Sequence, residues 1–131
     1  MADGRAGVRD LVIAGDVGGV RAWLDAGGDP DQTDPATNQT LLMAAAFEGR
    51  LEVVRLLLGR GAGREGALFA AVLGRRGEVA RELLPLGWDC GELRQAARVH
   101  REVSEAVPEA DEELGRLLRS ALRAAKCEPD A

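Results

Sequence analysis

One stretch limits the fold of this chain more than any other. Residues 39–62, QTLLMAAAFEGRLEVVRLLLGRGA, read as a helix, a short glycine turn and a second helix that ends in glycine. Leu41, Leu42, Ala45 and Ala46 form the apolar stripe of the first helix, and Leu51, Val54, Leu57 and Leu58 that of the second, at the three-and-four spacing of amphipathic helices. Gly49 between them and Gly61 after them are helix-ending residues able to take positive φ. Two helices this short are not stable alone. Such a unit has to stack on neighbours, so further copies are expected in the rest of the chain.

The segment resembles the ankyrin repeat. Thr40, Leu42, Ala45, Ala46, Gly49, Leu51, Val53, Val54, Leu57, Leu58, Gly61 and Ala62 match the family pattern. The departures are Leu41 for proline, Met43 for histidine, Asn38 for glycine and Gly63 for aspartate. Asn38 is a mild change, because asparagine tolerates the left-handed backbone. Met43 removes the histidine that links neighbouring first helices in the family.

Aligning Gly27 with Gly61 reveals a second copy at an offset of 34, in which Val17, Val20, Trp23, Leu24 and Asp29 fall on Leu51, Val54, Leu57, Leu58 and Gly63. Residues 31–38, rich in Asp, Thr, Pro and Asn, should form a hairpin-like projecting loop. A third copy, residues 66–89, sits at an offset of 26, and residues 61–65 before it are too few for such a finger, so a plain turn is expected. A further step of 26 places Leu93, Ala96 and Ala97 on Ala67, Ala70 and Ala71 and opens a degenerate fourth unit. Its second helix is expected from Pro108 to Lys126, with Leu114, Leu117, Leu118, Ala121, Leu122 and Ala125 as the buried face. Pro108 falls near its first turn and Glu109, Asp111, Glu112 and Glu113 at the positive end of its dipole.

The expected fold is therefore all-α: a short ankyrin-like solenoid of helix-turn-helix repeats with a helical C-terminal cap. One domain spans residues 1–126, with repeats at about 5–34, 35–63 and 64–89, a degenerate unit at 90–126, and a disordered tail at 127–131. The leading helix of the first repeat is expected from Arg5 to Ala14.

Charge narrows the function classes. The net charge of −5 opposes general affinity for nucleic acid or anionic membrane, which needs a basic surface to release counterions. The charge is also uneven: residues 1–34 carry seven aspartates against three arginines, and residues 50–101 carry ten arginines against six acids. Such alternation along a solenoid can orient a charged partner. Cys90 and Cys127 lack C-x-x-C spacing, so neither a disulfide framework nor a zinc site is expected and the thiols should be reduced. With no apolar run approaching the roughly 20 residues of a membrane span and no signal-peptide core in MADGRAG, the default location is the cytoplasm.

Several motifs invite a chemical reading that their context opposes. Gly61, Gly63 and Gly66 satisfy G-x-G-x-x-G, but a leucine-rich helix precedes them where a dinucleotide site needs a strand. Asp25, Asp29, Asp31 and Asp34 lack the glycine and closing glutamate of an EF-hand loop. His100, the single histidine, has no nucleophile paired with it by any motif and reads as surface or boundary packing. Trp23 fits the core where alanines leave room. Trp88 either covers the edge of the third repeat or serves as a binding anchor. No catalytic residue, metal or cofactor is expected, and the chain reads as a non-enzyme.

In the ankyrin family, loop tips and the end of the first helix carry most partner contacts. The resemblance points to Ala36, Thr37, Gln39, Phe47 and Glu48, and Leu73 and Ile13 share the repeat position of Phe47. These three apolar residues would form a stripe along the groove, open to a partner or packed between repeats. The expected function is a protein-interaction module, an adaptor or inhibitor binding through the concave groove and loops, with a monomer favoured and a basic patch on the partner compatible with the aspartates. The alternative is a self-associating assembly subunit.

Overall fold

The computed structural model describes residues 7–106 and 112–127. Among the described residues eight α-helices follow one another: α1 (Val8–Ala14), α2 (Val17–Asp25), α3 (Leu41–Glu48), α4 (Leu51–Gly59), α5 (Ala67–Leu73), α6 (Gly77–Leu83), α7 (Cys90–Ala106) and α8 (Glu112–Ala124). A single 3-10 turn, Leu84–Leu86, extends α6. The helices pair in sequence as α1/α2, α3/α4, α5/α6 and α7/α8. The odd-numbered members then stack as one row, α1 on α3 on α5 on α7, and the even-numbered members as a second. Stacking of this kind is how units too short to bury a face alone acquire a continuous core.

Small side chains make the inner row possible. Ala44, Ala45 and Ala46 of α3 and Ala67, Ala70 and Ala71 of α5 are all buried, so the helix backbones approach closely. Larger residues, among them Val53, Val54, Leu57, Val79 and Leu83, fill the space beneath from the outer row. One apolar cluster runs without interruption from Val8 to Leu118. Met43, at the family's histidine position, lies against Gly66, where a Cβ would stand 2.9 Å from its sulfur.

The caps follow local chemistry. Thr40 Oγ1 accepts a hydrogen bond from the Met43 amide at 3.1 Å and opens α3, and Gly49 closes it in the left-handed region at φ 74°. Before α3, Thr33 and Thr40 form an isolated antiparallel bridge, and the Asp34 amide donates to the Gln39 carbonyl at 2.9 Å. Asn38 turns this finger at φ 60°. Between α4 and α5 the chain makes only a short turn, as its few residues dictate.

The two ends of the chain differ from the sequence-based expectation. The helix expected from Arg5 is α1 from Val8, and Arg5 lies outside the described residues. Of the helix expected over 108–126, the structure has α8 over Glu112–Ala124, and Pro108 and its acidic neighbours Glu109 and Asp111 fall outside the described residues. Leu114 and Leu118 are buried, whereas Leu117 is 39 % exposed and Ala125 is exposed, so the buried face of α8 is narrower than its leucine count suggests.

The cysteine expectation is overturned. Cys90 and Cys127 form a disulfide with Cα atoms 5.4 Å apart. Their wide separation in sequence hides the pairing, but α7 and α8 pack as a hairpin, which brings Cys90, the first residue of α7, beside Cys127, the third residue after α8. Cys127, assigned to a disordered tail, is thus tied to the fold, while residues 128–131 lie outside the described residues.

Candidate functional site

Among the described residues, Phe47 at 38 %, Leu73 at 45 %, Leu86 at 43 % and Leu117 at 39 % are the exposed large apolar side chains. Phe47 is the penultimate residue of α3 and Leu73 the last of α5, neighbouring helices of the inner row. Ile13, the penultimate residue of α1, is half-buried. The equivalence of Ile13 and Phe47 extends to their carbonyls. Arg50 Nε donates to the Ile13 carbonyl at 2.7 Å, and Arg76 Nε donates to the Phe47 carbonyl at 3.1 Å. Each arginine comes from the turn of the following repeat and closes the unsatisfied last turn of the helix before it. The glycines fit this device, since a Cβ on Gly15 would stand 3.1 Å from the Arg50 side chain and one on Gly49 2.8 Å from that of Arg76.

The remaining predicted residues lie in three other places. Ala36 and Thr37 are exposed at the tip of the finger. Gln39, at its base, is half-buried, and its Oε1 accepts from Arg9 Nη2 at 3.1 Å. Arg9 also pairs with Asp34 at 2.7 Å, so α1 holds the finger from one side. Glu48 is half-buried beside Phe47, about 12 Å along α3 from the finger. Trp88 is held against the third repeat: its indole N–H donates to the Leu83 carbonyl at 2.8 Å, and the Arg64 guanidinium stands 5.3 Å from its ring centre. That geometry is the edge-covering role of a tryptophan with its polar handle satisfied.

The aspartates of the loops serve the backbone. Asp29 Oδ1 accepts from the Asp31 amide at 2.9 Å, Asp31 Oδ1 from the Gly63 amide at 2.6 Å, and Asp34 Oδ1 from the Ala36 amide at 2.8 Å. Among the described residues no group of three or more acidic, histidine or cysteine side chains is placed to hold a metal ion. On the outer row, Arg55 meets Glu82 through two contacts of 2.9 and 3.2 Å. Hydrogen bonding to Arg55 holds the Glu82 carboxyl below its ordinary range. The reciprocal bond raises the Arg55 guanidinium above its own.

Two features escape the sequence reading. Glu92 of α7 accepts from the amides of Gly66 at 3.0 Å and Phe69 at 3.1 Å, capping α5 from the next repeat. The arginine staples are the other. The recurrence of Arg50 as Arg76, one repeat offset later, is the signal that could have found them.

The order of elements, the paired rows and the finger before α3 are those of stacked helical repeats, and the sequence matches a family model for ankyrin repeats in three copies over residues 11–92. The chain belongs to the ankyrin-repeat family. No curated protein matched it. Ankyrin repeats are generally protein–protein interaction modules, and the family is typically non-enzymatic. Among the described residues, no helix is long and apolar enough to cross a membrane.

Proposed function

We propose that this ankyrin-repeat chain binds a protein partner across the inner row of helices and the finger before α3, acting as an adaptor or an inhibitor. The supporting observation is the exposed pair Phe47 and Leu73, one repeat apart on stacked helices. Both stand on backbone fixed by buried alanines, so an apolar contact there incurs little ordering cost. Exposed apolar side chains at one position of successive repeats offer a partner two apolar contacts on neighbouring helices. Ala36, Thr37 and Gln39 would flank the partner at the finger and Glu48 beside Phe47, while Trp88 would contribute through its exposed edge.

The test is affinity capture with the wild type and a Phe47→Ala/Leu73→Ala variant, with mass spectrometric identification of what each retains. Both side chains are exposed, so circular dichroism should be unchanged. A protein retained by the wild type and lost by the variant supports the reading. Equal retention rejects the pair as the contact. A sedimentation mass that rises with concentration, with capture of the chain alone, favours the self-assembly alternative instead.

A further inference from the structure

A groove lies apart from Phe47 and Leu73, in the helical pair α7/α8. α7 and α8 have 17 and 13 residues, against seven to nine in the helices before them. Leu93 and Ala96 of α7 face the stack and are buried. An open groove of about 740 Å³ lies between α7 and α8. Its walls carry Arg94, Arg98 and Arg101 from α7 and Arg116, Arg119 and Arg123 from α8. These fall at i, i+4, i+7 and i, i+3, i+7, the spacings that put three side chains on one helix face. The half-buried Ala97 and Leu122 form the floor above the buried Leu118. Glu112, at the end where α7 gives way to α8, is the one carboxylate among the described residues of the lining.

Several arginines of the stack are engaged, Arg9 with Asp34, Arg55 with Glu82, Arg60 with Asp25, and Arg50 and Arg76 with carbonyls, and Arg94 and Arg98 of the groove have partners too. In the groove, no carboxylate among the described residues stands within ion-pair distance of Arg101, Arg116, Arg119 or Arg123. Gathering like charges in this way opposes the compact state. An occupant that brings carboxylates relieves the repulsion, and the apolar floor favours one that also brings aliphatic side chains. The lining runs about 15 Å along α7, from Arg94 to Ser104, and about 17 Å along α8, from Glu112 to Arg123.

We propose that this groove is a second docking site, for an acidic amphipathic helix of a partner protein lying between α7 and α8. The helix would set leucine-like side chains on Ala97 and Leu122 and pair its flanking carboxylates with Arg101, Arg116, Arg119 and Arg123. A helix in a groove is read through side chains at i, i+3, i+4 and i+7. A small phosphate would use the charge but leave the floor bare, and the length of the groove would be unused.

The probe is a fluorescent peptide about four helical turns long, with leucines on one face and glutamates on the other. Its twin carries glutamine for every glutamate. Anisotropy titrations use the full chain and two variants, Arg101→Ala/Arg119→Ala and Phe47→Ala/Leu73→Ala, both checked by circular dichroism. The expected result is saturable one-to-one binding, weakened about tenfold or more by the arginine substitutions and to a similar degree in the glutamine twin. Binding should be unchanged in the Phe47→Ala/Leu73→Ala variant, which separates this site from the inner-row pair. The proposal is overturned by absent binding, by equal affinity for the twin, by indifference to the arginine substitutions, or by loss of binding in the Phe47→Ala/Leu73→Ala variant. It is also overturned if tripolyphosphate or a single-stranded oligonucleotide displaces the peptide at comparable concentration, since the groove would then be a general polyanion site.

Discussion

The middle of this molecule and its C-terminal hairpin solve the same stacking problem by different means. From α3 to α6 the helices are short, and almost every inward position is an alanine, valine or leucine with no exposure. In α7 only Leu93 and Ala96 are buried, although the helix is about twice as long. What the hairpin lacks in apolar burial it replaces with a covalent tie, Cys90 to Cys127, and with Glu92 reaching back onto α5. The difference teaches that a repeat with few buried apolar positions can be held by linkages as well as by area.

The comparison is broken most forcefully from the middle. Leu57 is fully buried in α4, and Leu57→Ala should cost about 3–4 kcal/mol in chemical denaturation, unfolding the stack as a unit. Reduction of the disulfide, or the double substitution Cys90→Ser/Cys127→Ser, should cost about 2–4 kcal/mol. Hydrogen exchange should place that loss in α7 and α8 while α3 to α6 keep their protection. Uniform loss of protection would mean that the hairpin is not a separable region. Glu92→Ala removes a charged acceptor from two amides and should cost about 2 kcal/mol, read as faster exchange at Gly66 and Phe69.

The smallest effect concerns the Arg55–Glu82 pair of the outer row. Because the folded Glu82 carboxyl lies below its ordinary value of 4.5, its contribution is fully present above that pH and is lost as pH falls through the folded value. The raised Arg55 value acts only in strongly alkaline solution. Both groups are exposed, so a Glu82→Gln variant should differ from wild type slightly at neutral pH and not at all in strong acid, as measured by denaturation midpoints at the two pH values.

The same contrast explains what the sequence made legible. The central repeats announce themselves through Leu42, Gly49, Leu57 and Gly61 because their roles are local: apolar spacing and a left-handed turn are set within one repeat. Residues 31–38 declare the finger for the same reason, through turn-forming side chains. The disulfide, the Glu92 cap and the Arg50 and Arg76 staples depend on which repeats become neighbours, and nothing in the local chemistry of those residues states it. The groove arginines at 94, 98, 101, 116, 119 and 123 have a readable helical spacing. A net charge of −5 draws attention away from them, because a sum over the chain conceals a face. Of the residues proposed for the inner-row site, Phe47 and Leu73 are exposed and Ala36 and Thr37 stand at the finger tip, whereas Trp88 is largely occupied with the protein's own edge.

The most direct test of the central claim, that the inner row meets the partner, is site-specific photo-cross-linking. A photoreactive phenylalanine analogue is placed in turn at position 47, at position 73 and, on the outer row, at position 55, and the cross-linked products from native lysate are compared. The account predicts one shared partner band at 47 and 73 that is absent at 55. A band of equal strength at 55, or partner capture at 55 alone, would contradict it.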